Sequence, residues 1–184
     1  MKKIFFALIL CFFISCSKED KTNDENLSLE STQNASLSQS DEVNFKLDLV
    51  DGGFVFVKKE DSNLLLDNND KAILFVFFTT WCVPCVAEIP HLNKLQEKYI
   101  DELSVISVLL EDKTKEEIAL FVKDNKINYK IANGEKNYLL ARILGGVNGI
   151  PTMFLYSKSS KLINQYLGVI PEEMLEIDIQ KAIL

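Results

Sequence analysis

Trp81-Cys82-Val83-Pro84-Cys85 stands at the junction of two unlike patterns, and that junction constrains the fold more than any other segment. Before it runs Ala72-Ile73-Leu74-Phe75-Val76-Phe77-Phe78, apolar at every position, as a strand buried on both faces is. After it, Ile89, Leu92 and Leu95 recur at helical spacing, which predicts a helix from about Val83 to Tyr99, kinked at Pro90. A buried strand feeding a helix is the βα unit of an α/β domain. Two cysteines at this spacing can close a disulfide within one turn of helix. At a helix start the first can also be held as a thiolate, by the positive end of the dipole and by backbone N–H groups without helical partners.

The remaining cysteines separate by position. Met1-Lys2-Lys3 is a positive start, and Ile4 to Ile14 is an apolar stretch too short to span a bilayer as an ordinary helix. It ends in Phe13-Ile14-Ser15-Cys16, which resembles a bacterial lipoprotein cleavage box, with Phe13 where leucine is usual. Residues 1–15 are therefore expected to be a lipoprotein signal peptide, with Cys16 lipidated and the protein exported. Cys11 falls in the removed segment, so only Cys82 and Cys85 remain as thiols. A single pair closing so small a loop stabilises little, which points to a pair kept for reaction. Processing removes Lys2 and Lys3 and no acid, taking the net charge from −7 to −9. That acidity argues against a nucleic-acid partner.

Residues 16–42 are rich in Ser, Asn, Glu and Lys and have no aromatic residue, the composition of a flexible tether. Residues 43–184 are expected to form the folded domain. Phe45 to Leu49 alternates, Asp51-Gly52-Gly53 signals a turn, and Phe54 to Val57 follows, which predicts an N-terminal β-hairpin. Leu103 to Leu110 reads as an interior strand, and Asp112 or Thr114 as the cap of a helix carrying Ile118, Phe121 and Val122. A helical patch from Tyr138 to Leu144 ends at Gly145-Gly146. Met153–Tyr156 and Leu162–Tyr166 form a second hairpin, and Pro171 starts the last helix.

That order, with Trp-Cys-x-x-Cys between the first buried strand and its helix, resembles the thioredoxin fold, and more closely the TlpA/ResA-like thiol–disulfide oxidoreductases. The resemblance covers about Val43 to Leu184. It includes Phe78 to Cys85, Glu88-Ile89-Pro90, the extra helix around Glu116 to Asn125, and Gly146-Val147-Asn148-Gly149-Ile150-Pro151-Thr152. It implies an α/β thioredoxin-like fold, a central mixed sheet flanked by helices, with an N-terminal β-hairpin and a central helical insertion.

The resemblance also assigns roles. Cys82 becomes the nucleophile, and Cys85, deeper and less exposed, the resolving thiol of a redox-active disulfide. Thioredoxins place an aspartate six residues before the first cysteine, where this chain has Val76. TlpA/ResA-like proteins carry instead a glutamate three residues after the second cysteine, which is Glu88, about one turn from Cys85 and suited to proton transfer. Pro151 matches the cis-proline whose preceding residue, Ile150, lies against the disulfide and pairs with an extended substrate strand. Trp81 is expected to shape the same contact surface. His91, the only histidine, is expected to be an ordinary helix-surface residue.

The implied activity is reduction of disulfides in exported proteins, apocytochrome c included, without a cofactor and with a membrane thiol protein as electron donor. Thr152 departs from the glutamate that cytochrome-maturation members carry after the cis-proline, which leaves general disulfide reduction, isomerisation and oxidation open. A different class of reading is a module holding Cu(I) between two thiolates. The copper-delivery relatives space their cysteines by three and use a distant histidine, and neither feature is present.

Overall fold

The computed structural model describes residues 42–61, 63–67 and 69–184. The expected signal peptide, Cys16 and the tether apart from Glu42 lie outside the described residues. Among those described, no helix is long and apolar enough to cross a membrane.

Three antiparallel strands come first: β1 (Val43–Asp48), β2 (Phe54–Glu60) and β3 (Asn63–Asp67), side by side in that order. The turn between β1 and β2 needs Gly52, whose φ is +93°, and the Asp51 carboxylate accepts from the Gly53 amide. The expected two-strand hairpin is thus corrected to a three-stranded sheet. β3 reads Asn-Leu-Leu-Leu-Asp, a run with no alternation in residue type. Pairing alone sends Leu64 and Leu66 inward and leaves Leu65 exposed.

The second sheet has the strand order β6-β5-β4-β7-β8, built from β4 (Ala72–Phe78), β5 (Leu103–Leu109), β6 (Lys130–Ala132), β7 (Thr152–Tyr156) and β8 (Leu162–Leu167). β4, β5 and β6 are parallel, β7 runs antiparallel to β4, and β8 runs antiparallel to β7. Strand β6 was not predicted, because three residues carry no measurable periodicity. Four helices complete the chain: α1 (Val83–Lys98), α2 (Lys115–Asn125), α3 (Lys136–Ile143) and α4 (Glu172–Ala182). Thr114, one of the two expected caps, starts α2 in a reciprocal capping box with Glu117.

Every residue of β4 is buried, and each face has its own cover. Ile73, Phe75 and Phe77 pack with Leu47, Val57 and Leu66 of the N-terminal sheet and with Leu140 of α3. Leu74 and Val76 face Leu92 and Leu95 of α1 and Leu175 and Ile179 of α4. The N-terminal sheet is also stitched to the edge of the second. The Val50 amide donates to Ile131, and the Asn133 amide to Asp48.

Because β6 is short, the outer edge of β5 from Leu103 to Val105 has no strand beside it. Gln96 of α1 takes that place. Its amide nitrogen donates to the Leu103 carbonyl at 3.1 Å, and its carbonyl accepts from the Val105 amide at 2.8 Å. One side chain thus satisfies two edge groups of a buried strand.

Two predictions follow from these contacts. Gln96→Ala leaves a buried N–H and C=O without partners, so unfolding in urea should show a loss of roughly 1–3 kcal/mol. The second concerns acid. Lys181, then Tyr166 and Asn164, hydrogen-bond Asp178 and hold its carboxyl down from 3.8 to about 2. A depressed carboxyl contributes stability above its ordinary pKa and loses it as pH falls through the folded value. Asp178→Asn should therefore flatten the decline in urea midpoint between about pH 4 and pH 2.

Candidate active site

The β4–α1 junction sets the position of Cys82. It is the N-cap of α1, with φ −79° and ψ 100°, and its Sγ accepts from the Cys85 amide at 3.2 Å. Pro84 occupies the first turn, where its missing N–H would have had no helical partner. Cys82 and Cys85 are joined by a disulfide, their Cα atoms 5.2 Å apart. In the reduced state the same amide favours a thiolate on Cys82, since a hydrogen bond to the charged form is the stronger one.

Cys82 is 4% exposed and Cys85 5%, so the expected contrast between an open nucleophile and a deeper partner is absent from the disulfide form. The reason is the surrounding apolar cluster. Phe78, Leu109, Ile118 and Ile131 pack with both cysteines, and Ile150 packs against the same group. Ile118 comes from α2, and Phe121, one turn on, lies 5.9 Å from the Phe78 ring. The inserted helix therefore walls the disulfide, a role that its amphipathic pattern did not reveal. Trp81 and Val83 project outward on either side, 71% and 77% exposed.

Glu88 belongs to the buried face of α1, with Cys85, Ile89 and Leu92, and has no solvent exposure. A carboxylate withdrawn from water must be paired and hydrogen-bonded. One oxygen, Oε1, accepts from the Ile170 amide at 2.7 Å. The other, Oε2, lies 3.3 Å from His91 Nδ1, so His91 is not the ordinary surface residue expected of it. Two residues before Ile170, the Gly168 amide donates to the Pro151 carbonyl at 2.8 Å. The segment after β8 thus ties Glu88 to the Ile150–Pro151 turn, whose peptide bond is cis.

Val76, where an aspartate would stand in thioredoxin, is buried beside Ser107 of β5. Burial pushes the Tyr129 phenol up, a hydrogen bond with Ser107 pulls it down, and nearby Glu88 raises it further. Glu111 belongs to no motif in the sequence. Its carboxylate accepts from the Thr80 amide at 2.5 Å, two residues before Cys82. Its place just beyond the carboxyl end of an interior strand was the available clue, because sites on open α/β sheets gather there. Among the described residues no group of three or more His, Cys, Asp and Glu is placed to hold a metal ion.

The arrangement brings Cys82, Cys85 and Ile150 into one cluster and joins Glu88 to Pro151 through a shared segment. Trp81 stands at its rim. Cys16 lies outside the described residues.

The chain is 31% identical over 117 residues to the thiol-disulfide oxidoreductase ResA of Bacillus cereus, across 64% of this chain and 66% of that protein. The match thus spans just under two thirds of that relative's length. Among solved structures, StoA from Bacillus subtilis superposes with a TM-score of 0.58 at 20% identity, covering 76% of this chain and 98% of that one. The exposed lipoprotein thioredoxin of Streptococcus pneumoniae gives 0.57 at 19%, covering 76% and 99%. These likenesses establish a thioredoxin-like fold. Residues 43–165, two thirds of the chain, match the AhpC/TSA family, and the chain belongs to it.

Proposed function

We infer that the protein is a membrane-tethered, extracytoplasmic thiol–disulfide oxidoreductase that reduces disulfides in exported proteins through Cys82 and Cys85. The observation that carries this reading is Cys82 Sγ capping α1 on the Cys85 amide within an apolar cluster. The resemblance to ResA supports it. In the forward reaction the Cys82 thiolate attacks a substrate disulfide, forming a mixed disulfide and releasing one substrate thiolate. Glu88 accepts the Cys85 proton. The Cys85 thiolate then attacks Cys82 Sγ, closing the enzyme disulfide and expelling the second substrate thiolate. Two electrons pass from the enzyme dithiol to the substrate. A thiol protein of the membrane restores the dithiol.

Trp81, Ile150 and Pro151 form the proposed substrate-contact surface, where an extended segment next to the target disulfide would lie. Apocytochrome c falls within this substrate class. The tether and lipid on Cys16 rest on the sequence of residues 1–42, and the similarity to an exposed lipoprotein thioredoxin supports them.

The reduction potential of the Cys82–Cys85 pair, measured by equilibration with glutathione, should lie near about −270 mV. A value near about −120 mV, that of a strong oxidant, would overturn the direction of electron flow. Cys85→Ser should accumulate mixed disulfides with substrate proteins on non-reducing gels, and Cys82→Ser should form none. Equal trapping by both variants would remove Cys82 as nucleophile.

A further inference from the structure

The proton that Glu88 accepts has to leave a residue with no solvent exposure. Of its two carboxylate oxygens, Oε1 is occupied by the Ile170 amide, a donor that neither accepts nor releases a proton in this pH range. Oε2 lies 3.3 Å from His91 Nδ1, and the His91 side chain is 40% exposed. The two residues are three apart on α1, so the helix itself holds the contact. Imidazole is the side chain able to take up and release a proton near neutrality, with one ring nitrogen for each partner.

We propose that His91 is a positioning and proton-relay residue that connects buried Glu88 to solvent during resolution of the mixed disulfide. The inference rests on Glu88 being the base for Cys85. The Cys85 S–H bond breaks and its proton joins a Glu88 oxygen. The freed thiolate forms the Cys82–Cys85 bond as the Cys82–substrate bond breaks, and the bonding pair leaves with the substrate sulfur. The Glu88 proton then passes to the lone pair of His91 Nδ1, the imidazolium releases its Nε2 proton to water, and exchange of the ring protons with water restores the starting tautomer. Glu88 ends as it began, ready for the next cycle.

The other titratable groups facing this pair do not offer that route. Tyr129, ahead of β6, feels the Glu88 charge, but burial pushes its phenol up, away from proton exchange near neutrality. Lys94, one turn beyond His91, is engaged with Glu172 of α4 at 3.2 Å.

The test follows the reduced full-length protein reacting with the aromatic disulfide dithiobis(nitrobenzoate). A first burst of coloured thiolate reports attack by Cys82, and a second reports resolution by Cys85. His91→Gln keeps an amide beside Glu88 but cannot relay a proton. It should slow the second phase relative to the first on the order of tenfold, less than the hundredfold or more of a direct acid–base group. Imidazole buffer should restore the rate, and the pH dependence of the second phase should change with the variant. Glu88→Gln separates the two ideas. A slow second phase in Glu88→Gln with a normal one in His91→Gln overturns the relay and leaves Glu88 as the base. Normal second phases in both overturn Glu88 and the relay with it. Slowing by His91→Gln that imidazole does not relieve, with an unchanged pH profile, also overturns the relay.

Discussion

The two-sided burial of β4 is the constraint on which the rest of the structure depends. A strand with no polar face must be covered above and below. The N-terminal sheet with α3 supplies one cover, and α1 with α4 the other. Each fully buried Phe or Leu of β4 contributes about 1.5–3 kcal/mol, so neither layer is dispensable. At the end of β4 the chain turns into α1, and Cys82 stands at that turn. The disulfide lies where it does because the most buried strand ends there. Its geometry is inherited from the core.

The same logic explains why the site joins apolar walls to a few fully engaged polar groups. Phe78, Leu109 and Ile118 exclude water around the sulfurs. In such surroundings each polar group needs a partner, and the partners come from distant parts of the chain. Ile170 reaches Glu88 from 82 residues away, and Glu111 reaches Thr80 from 31. Gly168, at φ +86°, turns the segment after β8 so that neighbouring amides serve Pro151 and Glu88. Substrate-facing loop and buried base are therefore held by one short stretch of backbone.

Legibility in the sequence followed the strength of the local pattern. β4 and β5, long and apolar, stood out, as did α1 with its 3.6-residue stripe. β3 and β6 did not, since Leu64 to Leu66 has no alternation and Lys130 to Ala132 is too brief to show any. At the site, Cys82, Cys85 and Glu88 announced themselves by spacing and by family resemblance. Glu111 and His91 did not, because each matters through a contact and not through a motif. The burial of Cys82 has no local signature, because the walls of α2 and β6 close over it from elsewhere in the chain.

The sequence by itself determined the βα unit, the pair of thiols at its junction and the missing aspartate at Val76. These are local facts, set by hydrophobic periodicity and by residue spacing within a few turns. Only the tertiary structure decided that Glu88 is wholly buried, that Ile170 and His91 are its partners, and that Gln96 stands in for a missing length of strand. Those depend on which segments meet once both faces of β4 are covered, and periodicity along one segment holds no record of its neighbours in space.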